Sequence, residues 1–207
     1  MAQYFHIHPQ NPQLRLINQA VEIIRNGGLV AYPTDSSYAI GCHLDDKRAV
    51  DRIRRIRKLD RNHNFTLIAS DLKQIAQFAK INNEQYRLIK SLTPGPYTFI
   101  LNAKRTVPNR LMHPKRKTIG LRIPDNEIVK TLLSNLAEPI MSSSLILPGD
   151  EMAMGDPDQI RDKLEHDIDL VVDGGVITNQ PSTVIDWHDQ NIRILRHGVG
   201  SVGFLDE

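Results

Sequence analysis

Apolar residues recur along this chain with two alternating periods. Leu14, Ile17, Val21 and Ile24 repeat at helical spacing, and Gly27 supplies a natural stop. Leu29 to Tyr32 is a short apolar run held between Gly27-Gly28 and Pro33, which predicts a central strand over 28–33. Helical spacing returns in Ala49, Val50, Ile53 and Ile56, predicting a helix over 48–57. Phe65 to Ala69 reads as a strand, followed by helical stripes through Leu72, Ile75, Ala76 and Ala79 and through Tyr86, Leu88, Ile89 and Leu92. Tyr97 to Leu101 and Thr118 to Ile123 read as strands. Ile128, Val129, Leu132, Leu133 and Leu136 give a helix over 126–136, and Pro139 to Leu145 a strand. Asp156-Pro157 starts another helix, with an acid at the cap and proline in the first turn. Asp169 to Asp173, Thr183 to Trp187 and Ile192 to Leu195 are further strands. This succession predicts one α/β domain over 1–207 with a mixed, twisted sheet.

Composition narrows the class. Hydrophobic content of 40% and charged content of 24% are those of a globular protein rather than a disordered one. The single cysteine, Cys42, excludes an internal disulfide framework and fits a reducing compartment. Cys42 is not expected to be a nucleophile. Met1 to His8 lacks the basic and apolar segments of a secretory leader, and no apolar run is long enough to span a bilayer. A cytoplasmic protein with no membrane partner is expected. A net charge of +2 gives no overall argument for nucleic acid, but the charge is unevenly placed.

The densest chemistry is Tyr32-Pro33-Thr34-Asp35-Ser36-Ser37-Tyr38, where hydroxyls and a carboxylate follow a buried strand. In α/β sheets ligands gather beyond strand ends; the alternative is a turn built from ordinary turn formers. No G-x-x-x-x-G-K-[ST] or G-x-G-x-x-G loop is present. Any phosphate must therefore be held by basic side chains. Arg48, Arg52, Arg54, Arg55, Arg57, Lys58 and Arg61 crowd one helix and its exit, with Arg48, Arg52 and Arg55 on one face. That face is either solvated or a stripe for phosphate. Lys115-Arg116-Lys117 precedes a strand in which Thr118, Gly120 and Arg122 face one way. A hydroxyl, a bare backbone and a guanidinium there make an anion seat or, alternatively, an edge strand guarded by charge. His6 and His8 would share a strand face, but with no cysteine or acid nearby in sequence no metal site is expected. Asp173-Gly174-Gly175 suits a tight turn or close ligand approach, and Ser182-Thr183 and Arg196 add a hydroxyl pair and a guanidinium near the C-terminus. Together these residues favour an anionic, nucleotide-like ligand.

The ordered motifs resemble the YrdC-like, threonylcarbamoyl-AMP synthase superfamily. They are Tyr32 to Cys42, Thr93-Pro94-Gly95-Pro96-Tyr97-Thr98, Thr118 to Pro124, Asp173-Gly174-Gly175, Ser182 to Asp186 and Leu195 to Gly198. The match runs from about Leu14 to Gly200 and looks most like the YciO subgroup. The resemblance implies an open, twisted YrdC/RibB-like sheet flanked by helices, with a concave basic face. It also implies ATP binding with Mg2+ accompanying the nucleotide, and binding of double-stranded RNA. The synthases join threonine, bicarbonate and ATP, release pyrophosphate, and supply a modification of transfer RNA adenosine. Carried over by motif, Thr34, Ser36, Tyr38 and Ser182 belong near threonine, Thr118, Ser144 and Arg196 near the nucleotide, and Arg122 near the ligand's negative charge.

Two departures bear on catalysis. The synthases carry Lys-x-Arg where this chain reads Arg57-Lys58-Leu59, and Ser-x-Asn where it reads Ser144-Leu145-Ile146. Losing a charge-assisted contact costs about 1.5–3 kcal/mol and losing an amide partner about 1–3 kcal/mol. Together they remove about two to four orders of magnitude in rate unless Arg57, Lys58 or Arg61 compensates. The expectation is a nucleotide- and RNA-binding relative of the synthase with weak or altered activity. The rival is a non-catalytic protein holding structured RNA through Arg48, Arg52, Arg55, Lys115, Arg116 and Lys117.

Overall fold

The computed structural model describes residues 1–60 and 62–203. Among them, ten strands form one sheet: β1 (Gln3–His6), β2 (Val30–Tyr32), β3 (Ala39–His43), β4 (Thr66–Ile68), β5 (Tyr97–Asn102), β6 (Thr118–Arg122), β7 (Ile140–Ser144), β8 (Leu170–Asp173), β9 (Thr183–Asp186) and β10 (Arg193–Arg196). The helices are α1 (Leu14–Arg25), α2 (Lys47–Arg57), α3 (Leu72–Phe78), α4 (Asn83–Leu92), α5 (Glu127–Leu136) and α6 (Pro157–Leu164). The strands lie in the order β1-β8-β2-β3-β7-β4-β6-β5-β9-β10, with parallel and antiparallel pairs mixed.

Strand residues alternate between two faces, and the two apolar clusters follow that alternation. Val30, Tyr32, Ile140, Leu170 and Val172 pack with the stripes of α1 and α5. Ala31, Met141 and Val171 point the other way, towards Val50 and Ile53 of α2 and Ile160 and Leu164 of α6. Leu67, Phe99, Leu121 and Ile185 of β4, β5, β6 and β9 join that second cluster. Their alternate neighbours, Thr66, Ile100, Gly120 and Val184, line an open hollow instead. The fold thus leaves one stretch of sheet without a helical cover, and the candidate site occupies it.

Local chemistry fixes the helix that reaches this hollow. The Asp46 carboxylate accepts the Ala49 N–H at 2.8 Å and caps α2, an interaction worth about 1 kcal/mol. The helix ends at Lys58 in the left-handed region (φ 47°). Arg54, Arg55 and Arg57 occupy its last turn, where the helix dipole favours cations.

The helices predicted over 48–57 and 126–136 form with almost the same bounds. Three local expectations change. β3 was not anticipated: Tyr32 pairs with Ala39 and Val30 with Gly41, so Pro33 to Tyr38 is the loop of a β-hairpin rather than the exit of a lone strand. β6 lies between β4 and β5, so it is no edge strand. His8 lies beyond β1 and does not share a strand face with His6. Its Nδ1 accepts the Gln10 and Asn11 N–H groups, while His6 Nδ1 lies 2.6 Å from Asp173.

Candidate functional site

The arginines around the hollow are of two chemical kinds. At the hairpin loop, Thr34 Oγ1 accepts from the Ser36 and Ser37 N–H groups and donates to the Ser37 carbonyl at 2.7 Å. This local ring of bonds folds the loop back on itself. Arg122 reaches into it from the end of β6. One guanidinium nitrogen, Nη2, donates to Thr34 Oγ1 at 3.2 Å and Ser36 Oγ at 2.9 Å, and forms an ion pair with Asp35. Asp35 also accepts the Asp125 N–H at 2.9 Å. Both members of the ion pair are largely buried, at 6% and 10% side-chain exposure. The loop's carboxylate and the strand's guanidinium neutralise each other and clasp the hairpin to the sheet.

Two other arginines of the hollow have no such partner. Arg57 Nε donates to the Ile146 carbonyl at 2.9 Å, and its Nη1 donates to Ser143 Oγ. Arg196, at the end of β10, donates to the Ser182 carbonyl at 3.0 Å and to Ser182 Oγ at 3.2 Å. Among the described residues no carboxylate pairs with either. Burial, reinforced by the charge of Arg196, brings the Arg57 guanidinium down to about 10. Burial, with the charge of Arg122, lowers Arg196 as well. Ser182 Oγ lies 2.8 Å from Thr98 Oγ1. His63 Nε2 lies 3.4 Å from Ser143 Oγ, and burial and the nearby arginines bring this imidazole down to about 4, leaving it neutral at neutral pH. The enclosed space is about 210 Å³. Its floor is close-packed: a Cβ on Gly120 would meet Thr66 Oγ1 at 2.7 Å and the Phe65 carbonyl at 3.0 Å.

The fold therefore gathers Arg57, Ser144, Ser182, Arg196 and Arg122 around one hollow. Thr34 and Ser36 stand behind Arg122 and hold it. Thr118 is buried beside the lining, donating to Asn64 Oδ1 at 3.4 Å. Tyr38 turns away: its hydroxyl donates to the Gly175 carbonyl at 2.9 Å and accepts the Gly174 N–H at 3.2 Å, which fastens the Asp173-Gly174-Gly175 turn. Lys58 is exposed and outside the lining, and Arg61 lies outside the described residues. Of the expected RNA contacts, Arg48, Arg55, Lys115 and Lys117 are exposed. Arg52 is tied to Asp169 at 2.8 Å, and Arg116 to the buried Asp186 at 2.9 Å.

Sequence reasoning missed His63, Asn64, Thr98 and Ser143, all of which line the hollow. His63 and Asn64 sit in the loop between α2 and β4, and only tertiary packing brings them to β7. The Ser142-Ser143-Ser144 run was the one signal that could have pointed there. Among the described residues the lining contains no carboxylate, and Mg2+ is held through one or two carboxylates plus phosphate oxygens. The site does not fit a metal held by protein groups; an ion arriving with ATP would rest on the phosphates. Cys42 is buried away from this site, its thiol pushed up to about 12 by desolvation.

These features define a class of protein: an α/β domain whose uncovered stretch of sheet forms a hydroxyl-lined hollow with unneutralised arginines. The chain belongs to the Sua5/YciO/YrdC family, whose description is telomere recombination and whose family model matches residues 22–198. It is 57% identical over 202 residues to an uncharacterised protein of Haemophilus influenzae, covering 97% of this chain and 98% of that one. It is 52% identical to the YciO protein of Escherichia coli, covering 98% of each. Over 186 residues it is 27% identical to a threonylcarbamoyl-AMP synthase of Vibrio vulnificus, covering 88% of this chain and 98% of the synthase. The crystal structure of Escherichia coli YciO has a TM-score of 0.95 over 97% of this chain and 98% of that one. Pyrococcus abyssi Sua5 complexed with L-threonine (27% identity) has a TM-score of 0.87 over 94% of this chain and 57% of the longer Sua5 chain. The resemblance read from the motifs and the mixed α/β fold are both borne out. No helix among the described residues is long and apolar enough to cross a membrane.

Proposed function

We propose that this chain seats an adenine nucleotide, AMP or ATP, by its phosphate in the hollow, and contacts RNA, as a divergent relative of threonylcarbamoyl-AMP synthase with weak or altered activity. The observation that carries this reading is the pair Arg57 and Arg196: two half-buried guanidiniums lining one hollow and, among the described residues, bonded only to neutral oxygens. A guanidinium in that state gains most from an incoming oxyanion, because part of its desolvation cost is already met by the fold. The hydroxyls of Ser143, Ser144 and Ser182 supply further neutral partners for a phosphate or for a small polar substrate such as threonine. The solved Sua5 complex with L-threonine supports a threonine place in this fold.

Altered chemistry follows from the same atoms. Arg57 folds back onto the Ile146 carbonyl and Ser143, where the synthases carry Lys-x-Arg and Ser-x-Asn. Retained charge in a different shape supports binding more than adenylation. Any chemistry that remains acts on a carbamoyl-adenylate or a threonylcarbamoylated RNA adenosine. The buried lone cysteine agrees with a cytoplasmic setting. Calorimetry with AMP and ATP tests the seat, and heat from neither rejects it. Pyrophosphate release from ATP, threonine and bicarbonate tests the chemistry. Turnover within about tenfold of a true synthase refutes the altered-activity reading.

The exposed Arg48, Arg55, Lys115 and Lys117 favour a second reading, binding of structured RNA without catalysis. It requires RNA affinity that falls steeply with salt in a protein showing no turnover of any adenylate.

A further inference from the structure

His63 stands where the hollow's positive charge is concentrated. Its ring lies edge-on to Phe65, with centroids 5.5 Å apart. Nε2 is 3.4 Å from Ser143 Oγ, the hydroxyl that also accepts from Arg57, and Nδ1 makes no hydrogen bond among the described residues. The charged groups that face the ring are Arg57 and Arg54 of α2, Arg196 of β10 and, with opposite sign, Asp60 just beyond α2. A histidine steered by a buried carboxylate keeps its proton whether or not ligand is present. Among the described residues His63 has no such partner: burial first, and then the three arginines, hold it neutral. Two of those arginines, Arg57 and Arg196, line the hollow and lack an acidic partner. Burial is the larger cause; negative charge placed there offsets the part due to Arg57 and Arg196 and so favours the proton.

We infer that His63 is the proton acceptor of this hollow, and that an oxyanion seated at Arg57 and Arg196 is what allows it to take up a proton. The inference rests on the reading of the hollow as an anion seat and adds how that seat is regulated. The proton lands on the imidazole beside Ser143, from bulk water or from an O–H or N–H of a co-bound molecule, and leaves when the anion leaves. The empty hollow thus holds a weak neutral base, and the filled one holds a stronger base next to the ligand.

Sulfate is a suitable probe because it stays fully ionised across the range needed. The first measurement is NMR titration of the histidine Cε1–H signals, with the His63 signal assigned by its absence in His63→Gln. The His63 midpoint should lie near 4 without sulfate and move upward in saturating sulfate, but not in sodium chloride of equal ionic strength. The second is calorimetry with sulfate at pH 7.5 and pH 5. Linkage requires several-fold tighter binding to the wild type at the lower pH. His63→Gln should bind sulfate at pH 7.5 and lose that pH dependence. A midpoint unmoved by sulfate that does bind, or the same pH dependence in His63→Gln, overturns the inference and leaves the anion seat standing. No sulfate binding at either pH rejects both.

Discussion

The hairpin clasp and the unpaired arginines of the hollow use the same residue type for opposite purposes. Arg122 is buried against Asp35 and two hydroxyls, so its charge is spent inside the protein. Arg57 and Arg196 meet only hydroxyls and main-chain carbonyls, and their basicity is lowered first by burial and then by a neighbouring positive charge. The contrast separates a clasp from a seat. Arg122, which the motif comparison places near the ligand's negative charge, lines the hollow and also organises the hairpin loop. The cations left for a ligand come from the last turn of α2 and from the edge strand β10.

The largest expected effect breaks the clasp. Asp35→Ala leaves a guanidinium buried without its counter-charge and should cost about 3–5 kcal/mol of stability in denaturant unfolding. A loss below about 1 kcal/mol would mean that Arg122 is not neutralised by this pair. Next comes the acid limb of the stability curve. His63 titrates near 4 in the folded chain against 6.5 unfolded, so between those values the unfolded state binds more protons. Stability from this group is full above pH 6.5 and falls as pH drops towards 4, by at most about 3 kcal/mol. In His63→Gln that part of the slope should vanish. Gly120→Ala sharpens the comparison from the floor of the hollow. Its Cβ meets Thr66 and the Phe65 carbonyl, which should cost about 1–3 kcal/mol and weaken ligand binding together. The smallest shift is the most diagnostic: Arg57→Met should leave stability unchanged or raise it by about 1–2 kcal/mol, because a desolvated, repelled charge is removed. A drop of 3 kcal/mol would make Arg57 structural, like Arg122.

Much of the fold was legible because its signals are local. The stripes of α1, α2 and α5 are written at helical spacing, and caps such as Asp46 and Asn126 mark where two of these helices begin. β3 was hidden because Ala39-Ile40-Gly41-Cys42 lacks both alternation and β-branched weight; its identity comes from pairing with β2 and β7. The site was legible where a residue's role depends on its strand face, as for Gly120 and Arg122. It was illegible where the role depends on what packs above that face. Nothing local tells that Tyr38 hydrogen-bonds a turn 136 and 137 residues away, or that His63 meets Ser143 across 80 residues. Partnering is equally non-local: Arg52 and Arg116 looked free in sequence, and Asp169 and Asp186 claim them.

The most direct test of the seat is the affinity of AMP for the wild type and for Arg57→Met, measured by calorimetry on protein shown to be folded. Removing one charge-assisted contact of about 1.5–3 kcal/mol predicts affinity lower by about 10- to 100-fold. Equal affinity in the two proteins would contradict the account, because the phosphate would then be held somewhere other than beside Arg57.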